Sequence, residues 1–314
     1  MKKAVKAILF VGAVLLLLAL ILGGVALAIG YCGTDHKNTE HEINEEFKNI
    51  SVTSDFASVV FEASDAGSTV TCYENDSLKH NVKVEDGTLY IEMQDTRKWY
   101  EHIGMRFDTP KITVAMPAGE YGTLTVKNKV GNVESSAGHS YSGIDISLTT
   151  GNVTNRSSSK GLVKIKASTG NVCIENISAG ALDISVTTGA VTVRSVNCER
   201  EISHTATTGR MSLDGVGCAS FTSNSDTGKI SLSDVIAKEC VRIDRSTGSV
   251  EFDRCDAGEI YVKTDTGNVS GTLLTDKIFL ASSDTGKVQV PKTSAGGRCE
   301  ITTATGGIKI EIAE

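Results

Sequence analysis

The chain has 314 residues, 40% hydrophobic, 22% charged and only 5% aromatic, with 31 glycines and 3 prolines. That composition excludes a disordered or collagen-like chain and has room for about two average domains. The formal net charge is −7; setting aside Lys2, Lys3 and Lys6, which precede every acidic residue, leaves 31 − 3 = 28 basic against 38 acidic side chains, or −10, which excludes the basic footprint of a nucleic-acid binder and electrostatic docking on anionic lipid.

The first predicted element is a membrane span. Residues 1–6 are a short basic tail, and no residue between 7 and 33 is charged. Residues 8–30 are a run of 23 that are almost all aliphatic, Ala or Gly. A bilayer core takes about 20 such residues, and within hydrocarbon only a helix satisfies the backbone of a single span. The run is longer than the roughly 7–15 apolar residues of a cleaved signal peptide, although Ala26-Leu27-Ala28 would pass as a cleavage site. Cys32 follows Tyr31, not the small residue that lipidation needs. The expectation is a signal-anchor helix over 7–31. The lysines before it place the N-terminus in the cytoplasm and residues 34–314 outside the cell membrane.

Residues 32–46 are polar without apolar periodicity and read as a solvated stalk. Residues 47–130 read as a β-rich cap, with short strand patterns at 50–52, 59–61, 69–71, 82–84, 89–91 and 112–114 and the only tryptophan, Trp99. A stack of strands needs its first open edge covered, which gives the cap its purpose.

Residues 131–314 are a repeat. Glycines stand at 131, 151, 170, 189, 209, 228, 248, 267, 286 and 306, every spacing being 19 or 20. Nine of the ten follow a threonine, and all ten have Val, Ile or Met two residues later. Apolar residues alternate with period two on both sides, as in Leu182 and Ile184 before Gly189 and Val191 and Val193 after it. A third apolar position falls seven after the glycine: Ile177, Val196, Val216, Val235, Cys255 and Leu274. Each unit therefore reads as strand, Thr-Gly turn, strand, looser turn.

An antiparallel meander shares that local grammar, with each Thr-Gly as a hairpin turn. The fixed register favours a parallel β-solenoid, in which each position stacks on its equivalent about 4.8 Å away. Only five aromatic residues follow Gly131 (Tyr141, Phe221, Phe252, Tyr261 and Phe279) against eleven before it, which suits a thin aliphatic core. The predicted fold is all-β: a single-stranded parallel β-solenoid of about ten rungs, roughly 45–50 Å long, behind an N-terminal β-rich cap and one transmembrane helix.

Four features resemble a bacterial family of membrane-anchored envelope proteins called putative adhesins, a domain-of-unknown-function family of β-strand repeats. They are the lead-in Phe47-Lys48-Asn49-Ile50-Ser51-Val52, the strand Asp86-Gly87-Thr88-Leu89-Tyr90-Ile91, the segment Ile112-Thr113-Val114-Ala115-Met116-Pro117, and the glycine series. The resemblance covers about 45–314. It implies an envelope or surface protein and supplies no catalytic residue.

No group of residues in the sequence reads as a catalytic, cofactor or metal site. Asp-Thr-Gly occurs at 226–228, 265–267 and 284–286, the tripeptide of aspartic proteases. Asp226, Asp265 and Asp284 fill a slot held elsewhere by Thr149, Ser168, Thr187, Thr207, Ser246 and Ala304, which is turn chemistry. Stacking would make Asp265 and Asp284 neighbours in one column, yet a cation needs a fuller oxygen cage. The bland expectation is that Lys229 and Lys287 pair with their own aspartates across the turn. The eight cysteines contain no C-x-x-C. Cys198 and Cys218 should stack on adjacent rungs within reach of a disulfide, while Cys255 and Cys299 replace core aliphatics. The histidines at 36, 41, 80, 102, 139 and 204 show no ligand spacing. His204 and Arg245 fall on inward positions.

The expected function is non-enzymatic: a repetitive solenoid surface outside the cell for adhesion or for contact with an envelope protein or wall polymer. The alternatives are a structural rod that self-associates through the strand-like edge at 307–312, an envelope-stress accessory working with a membrane partner, and a β-helix enzyme acting on acidic polysaccharide. The unvarying repeat length leaves no insertion to build an enzyme's cleft.

Overall fold

The period-two alternation on both sides of each Thr-Gly becomes two parallel ladders that share one aliphatic core in this computed structural model, which describes residues 16–17, 37–75, 77–96 and 110–313. The expected span at 7–31 lies, but for two residues, outside the described residues, as do Trp99, Cys32, His36 and His102. Among the described residues no helix is long and apolar enough to cross a membrane.

The strand before each glycine pairs with the strand before the next. Gly119–Val130 lies parallel to His139–Thr150, with Ile144 opposite Leu124, and His139–Thr150 lies parallel to Ser158–Thr169. The strands after the glycines form the second ladder, with Val191 in Val191–Cys198 opposite Val172 on one side and Met211 on the other. The parallel solenoid, not the meander, is the fold. Inward positions are fully buried: Ile146, Ile165, Ile184, Ile174 and Val193 are all 0% exposed. Each such aliphatic contributes about 1.5–3 kcal/mol on burial.

Glycine is obligatory at the turn because consecutive turns nearly touch. At Gly228, φ is +137° and a β-carbon would lie 1.7 Å from the carbonyl oxygen of Gly209. Where asparagine follows the glycine it ties turn to turn. Asn132 Oδ1 accepts the N–H of Asn152, Asn152 that of Asn171, and Asn171 that of Ala190, each at 2.9 Å. The looser turn has its own column in left-handed backbone: Asn176, Ser195, Gly215, Asp234 and Arg254 all have φ between 50° and 62°.

Four sequence expectations are corrected. First, the cap is smaller than 47–130. Asn49–Phe56 is parallel to Gly119–Val130, and Ser58–Ala63 is parallel to Val133–Ser135. They form a further turn, with Ala57 where a glycine would stand. Thr88–Asp95 and Lys111–Met116 extend this turn in parallel, and among the described residues only Leu78–Glu85, Ser68–Glu74 and Lys37–Ile43 run antiparallel beyond them. Second, residues 37–43 of the expected stalk are that last strand, held because Thr39, His41 and Ile43 turn toward the sheet.

Third, the last two repeats are stacked in inverted order. Gly297–Thr305 pairs with Val250–Thr266 on one side and Lys277–Ser283 on the other. Ile308–Ile312 lies likewise between Val269–Leu273 and Val288–Gln289. The edge at 307–312 is therefore interior, with Ile310 only 2% exposed, and the outermost turn is formed by 277–289. Fourth, Leu274 is 41% exposed, and Leu273, 1% exposed, fills its slot opposite Cys255. That turn is one residue short because Gly271, at φ +138°, draws the backbone against Phe252.

Candidate functional site

The outer edge at the Thr-Gly turns is the most regular surface. The threonine before each glycine is exposed and in register with the next. Thr150, Thr169, Thr188, Thr208, Thr227, Thr247, Thr266 and Thr305 form one unbroken column. Parallel pairing sets their spacing at about 4.8 Å. Beside them the preceding position carries Thr, Ser or Asp, except for Ala304 before Thr305, so the edge is a rail of hydroxyls with scattered carboxylates.

The second surface is the outermost turn. Ile278 and Leu280 on Lys277–Ser283 are 44% and 49% exposed. Among the described residues no strand pairs with the far side of this one. Its base is held by Lys277, whose side chain is 5% exposed and whose Nζ lies 2.6 Å from Asp256 Oδ1 and 2.8 Å from Thr275 Oγ1.

Asp226, Asp265 and Asp284 all lie exposed on the rail. The inverted order places Ala304 between Asp265 and Asp284, because Thr264 is opposite Thr303 and Ser283 is opposite Thr303 from the other side. The two carboxylates are thus two strand spacings apart, about 9.5 Å, and are not neighbours. Lys229 pairs with Glu251 Oε2 at 2.6 Å, not with its own Asp226. Cys198 and Cys218 are buried in adjacent turns as expected and carry free thiols; burial first, then the neighbouring Cys198 and Cys240, pushes Cys218 up to about 12. Cys255 and Cys299 are buried in the core at 2% and 0% exposure.

His204 and Arg245 are both in the core. His204 Nδ1 is 2.9 Å from Ser223 Oγ, and its Nε2 is buried without a partner. Burial and then the Arg245 charge lower its pKa to about 4, so the ring is neutral. Arg245 Nη2 donates to Ser225 Oγ at 2.7 Å and Nη1 to the Ser249 carbonyl at 3.3 Å. His204 and Ser223 stand five before their glycines, and Arg245 and Ser225 stand in the column three before. Thr264, Thr303 and Ser283 there donate to the carbonyls of Gly248, Gly267 and Gly306, using acceptors that the tight turns leave inside.

The cap holds a cluster whose members no spacing pattern joins. Cys72, Glu74 and His80 are buried, and one donor atom from each lies within 4.8 Å of the others. Cys72 and Glu74 are on the inward side of Ser68–Glu74. Asn75 pairs antiparallel with Leu78, which brings His80 back on Leu78–Glu85. Glu74 Oε2 accepts the His80 backbone N–H at 2.8 Å and stands 3.2 Å from His80 Nδ1. Burial opposes the ionisation of Glu74, but hydrogen bonds from Thr39 and His80 outweigh it and hold the carboxyl below its usual range. Burial pushes the Cys72 thiol up to about 12, with the Glu74 charge adding to it. Burial also lowers His80, against the pull of Glu74. The spacings 72, 74 and 80 match no ligand motif, because the pairing of Asn75 with Leu78, not a helix, brings them together.

Three comparisons bear on this chain. The family model described as Toastrack DUF4097 matches residues 47–205. No curated protein matches. Among solved structures, one described as a putative adhesin from Bacteroides fragilis is similar at 16% identity and TM-score 0.42, covering 89% of this chain and 98% of its own. One from Parabacteroides distasonis, described as a putative lipid binding protein, has 17% identity and TM-score 0.46, covering 88% and 97%. A putative adhesin from Parabacteroides merdae has 14% identity and TM-score 0.43, covering 88% and 96%. Likenesses of this size bear on neither site nor function.

Proposed function

We propose that this chain, which belongs to the Toastrack DUF4097 family, is a non-enzymatic scaffold of the cell envelope whose solenoid presents a repetitive surface for adhesion to a wall polymer or envelope protein. The observation that carries this reading is the exposed threonine column from Thr150 to Thr305, one hydroxyl per turn in unbroken register. A single exposed hydrogen bond is worth little against water. Hydroxyls repeated at about 4.8 Å suit a partner that itself repeats, where many weak contacts act together. In this reading residues 7–31 anchor the chain in the cell membrane, with 1–6 cytoplasmic and 34–314 outside. The test is co-sedimentation of the detergent-solubilised full chain with isolated cell walls. Replacing Thr188, Thr208 and Thr227 together by glutamate should release the protein from the pellet; equal pelleting of the variant and the parent would sink the proposal.

A second reading has its own observation. The outermost strand Lys277–Ser283 presents Ile278 and Leu280 beside unpaired backbone, the arrangement that invites edge-to-edge addition of another strand. Solenoids joined through this end would form a rod, read by light scattering across a concentration series.

A further inference from the structure

We propose that the outermost turn, residues 277–289, is the contact for a second copy of this chain, joined far end to far end about a two-fold axis so that Lys277–Ser283 pairs antiparallel with its own counterpart. The inference rests on the edge-to-edge reading above and adds the partner, its orientation and a limit of two.

The far end leaves the core open. Phe279 and Ala281 turn inward but are only half-buried, whereas Cys299 and Ile301, their partners one strand in, are both 0% exposed. Val288 is 37% exposed, and its partner Ile308 is 1% exposed. Ile278 and Leu280 stand on the outer face of the same strand. Unpaired backbone with apolar side chains on both faces is a template for another strand.

Charge selects the occupant. Proteins keep sheet edges apart with charged side chains. Lys277 is the one charged residue of Lys277–Ser283, and its Nζ lies 2.6 Å from Asp256 Oδ1 on a side chain that is 5% exposed. Nothing else on the strand repels a second copy of it. The near end is built the opposite way. Its edge strand, Lys37–Ile43, pairs only with Ser68–Glu74 among the described residues and exposes Lys37, Glu40 and Glu42. Pairing that edge with itself would crowd carboxylates together, and pairing it with the far edge would set them beside Ile278 and Leu280 without a countercharge.

A two-fold axis normal to the sheet at the middle of Lys277–Ser283 reverses the strand and keeps the inward side chains of both copies on one face. Phe279 and Ala281 of one copy then continue the core of the other, while Ile278 and Leu280 meet on the outer face. Such a contact is isologous and occupies its own patch, so assembly closes at two. The strands at 37–43 lie at opposite ends of the doubled solenoid.

The test is the mass of the detergent-solubilised full chain by light scattering across a concentration series, with bound detergent subtracted, together with crosslinking. The expected result is growth from one chain to two and a plateau there. Leu280→Lys, at an exposed position, should raise the dissociation constant at least tenfold. Leu280→Cys should be bridged to a second copy by a short bismaleimide well above the parent chain, and Glu40→Cys should not. Growth past two chains that Leu280→Lys abolishes would overturn the closed pair and leave the edge-to-edge reading standing. One chain at every concentration would refute both. A pair that Leu280→Lys leaves intact, or bridging through Glu40→Cys but not through Leu280→Cys, would place the contact elsewhere and refute the far-end pairing.

Discussion

Asn268 Oδ1 accepts the backbone N–H of Gly307, 39 residues later in the chain, at 2.8 Å. Elsewhere the same bond spans 19 or 20 residues, as from Asn152 to Asn171. The doubled interval marks the turn of residues 297–312, seated between its two predecessors. The C-terminal strand is thus interior, and the exposed edge belongs to residues 277–289.

This relationship separates two substitutions. Ile310→Lys puts an unpaired charge at a position only 2% exposed and should cost about 3–5 kcal/mol or unfold the end turns. Leu280→Lys, at 49% exposure, should leave the melting temperature within a few degrees. It should also suppress any concentration-dependent growth in mass. Thermal melts paired with light scattering distinguish the two.

Glycine positions differ sharply in tolerance. Gly228→Ala meets the Gly209 carbonyl at 1.7 Å with φ at +137°, and denaturant melts should show a loss well above about 1 kcal/mol. At Gly87, φ is +69° and nothing lies within 4 Å of an added β-carbon. Gly87→Ala should cost no more than about 1–2 kcal/mol.

His204 makes the solenoid acid-sensitive. Its pKa falls from 6.5 to about 4 on folding, so between those values the unfolded chain binds more protons and stability drops as pH drops. The contribution is complete above pH 6.5 and gone below about pH 4, a loss of about 3 kcal/mol. Ser223 faces the ring and Arg245 is the charge that acts on it. His80 and His139 are lowered by burial as well and act in the same direction. Urea melts at pH 7 and 4.5 should therefore show a smaller acid loss in His204→Leu than in the parent chain.

The Lys277–Asp256 pair should behave as a buried pair does. Lys277→Met strands a carboxylate that is 23% exposed and should cost about 2–4 kcal/mol. Adding Asp256→Asn should recover part of that loss, and a double-mutant cycle measures the coupling.

The repeat made the solenoid legible because one physical constraint, the near contact of successive turns, demands glycine every 19 or 20 residues. Strand parity was equally plain, since Ile146, Ile184 and Val193 recur at fixed offsets and are buried. The second corner was hidden because five different residues, Asn, Ser, Gly, Asp and Arg, hold its left-handed position at 176, 195, 215, 234 and 254. Stacking order was hidden for a different reason. Repeats that fit one neighbour fit any neighbour, so the sequence at 297–312 carries no mark of its place. The Cys72, Glu74 and His80 cluster depends on the pairing of Asn75 with Leu78, whose strands read separately as ordinary alternation.

The inverted order at the far end also bears on manufacture. A solenoid whose turns follow one another can be laid down as the chain emerges, each segment docking on the one before. Here residues 277–289 emerge before their partner exists, because they pair with 297–312 and not with the turn that precedes them. In the finished fold the later segment stands between them and residues 250–273. A chain that stops short of residue 297 therefore lacks the strands that join residues 277–289 to the rest of the solenoid.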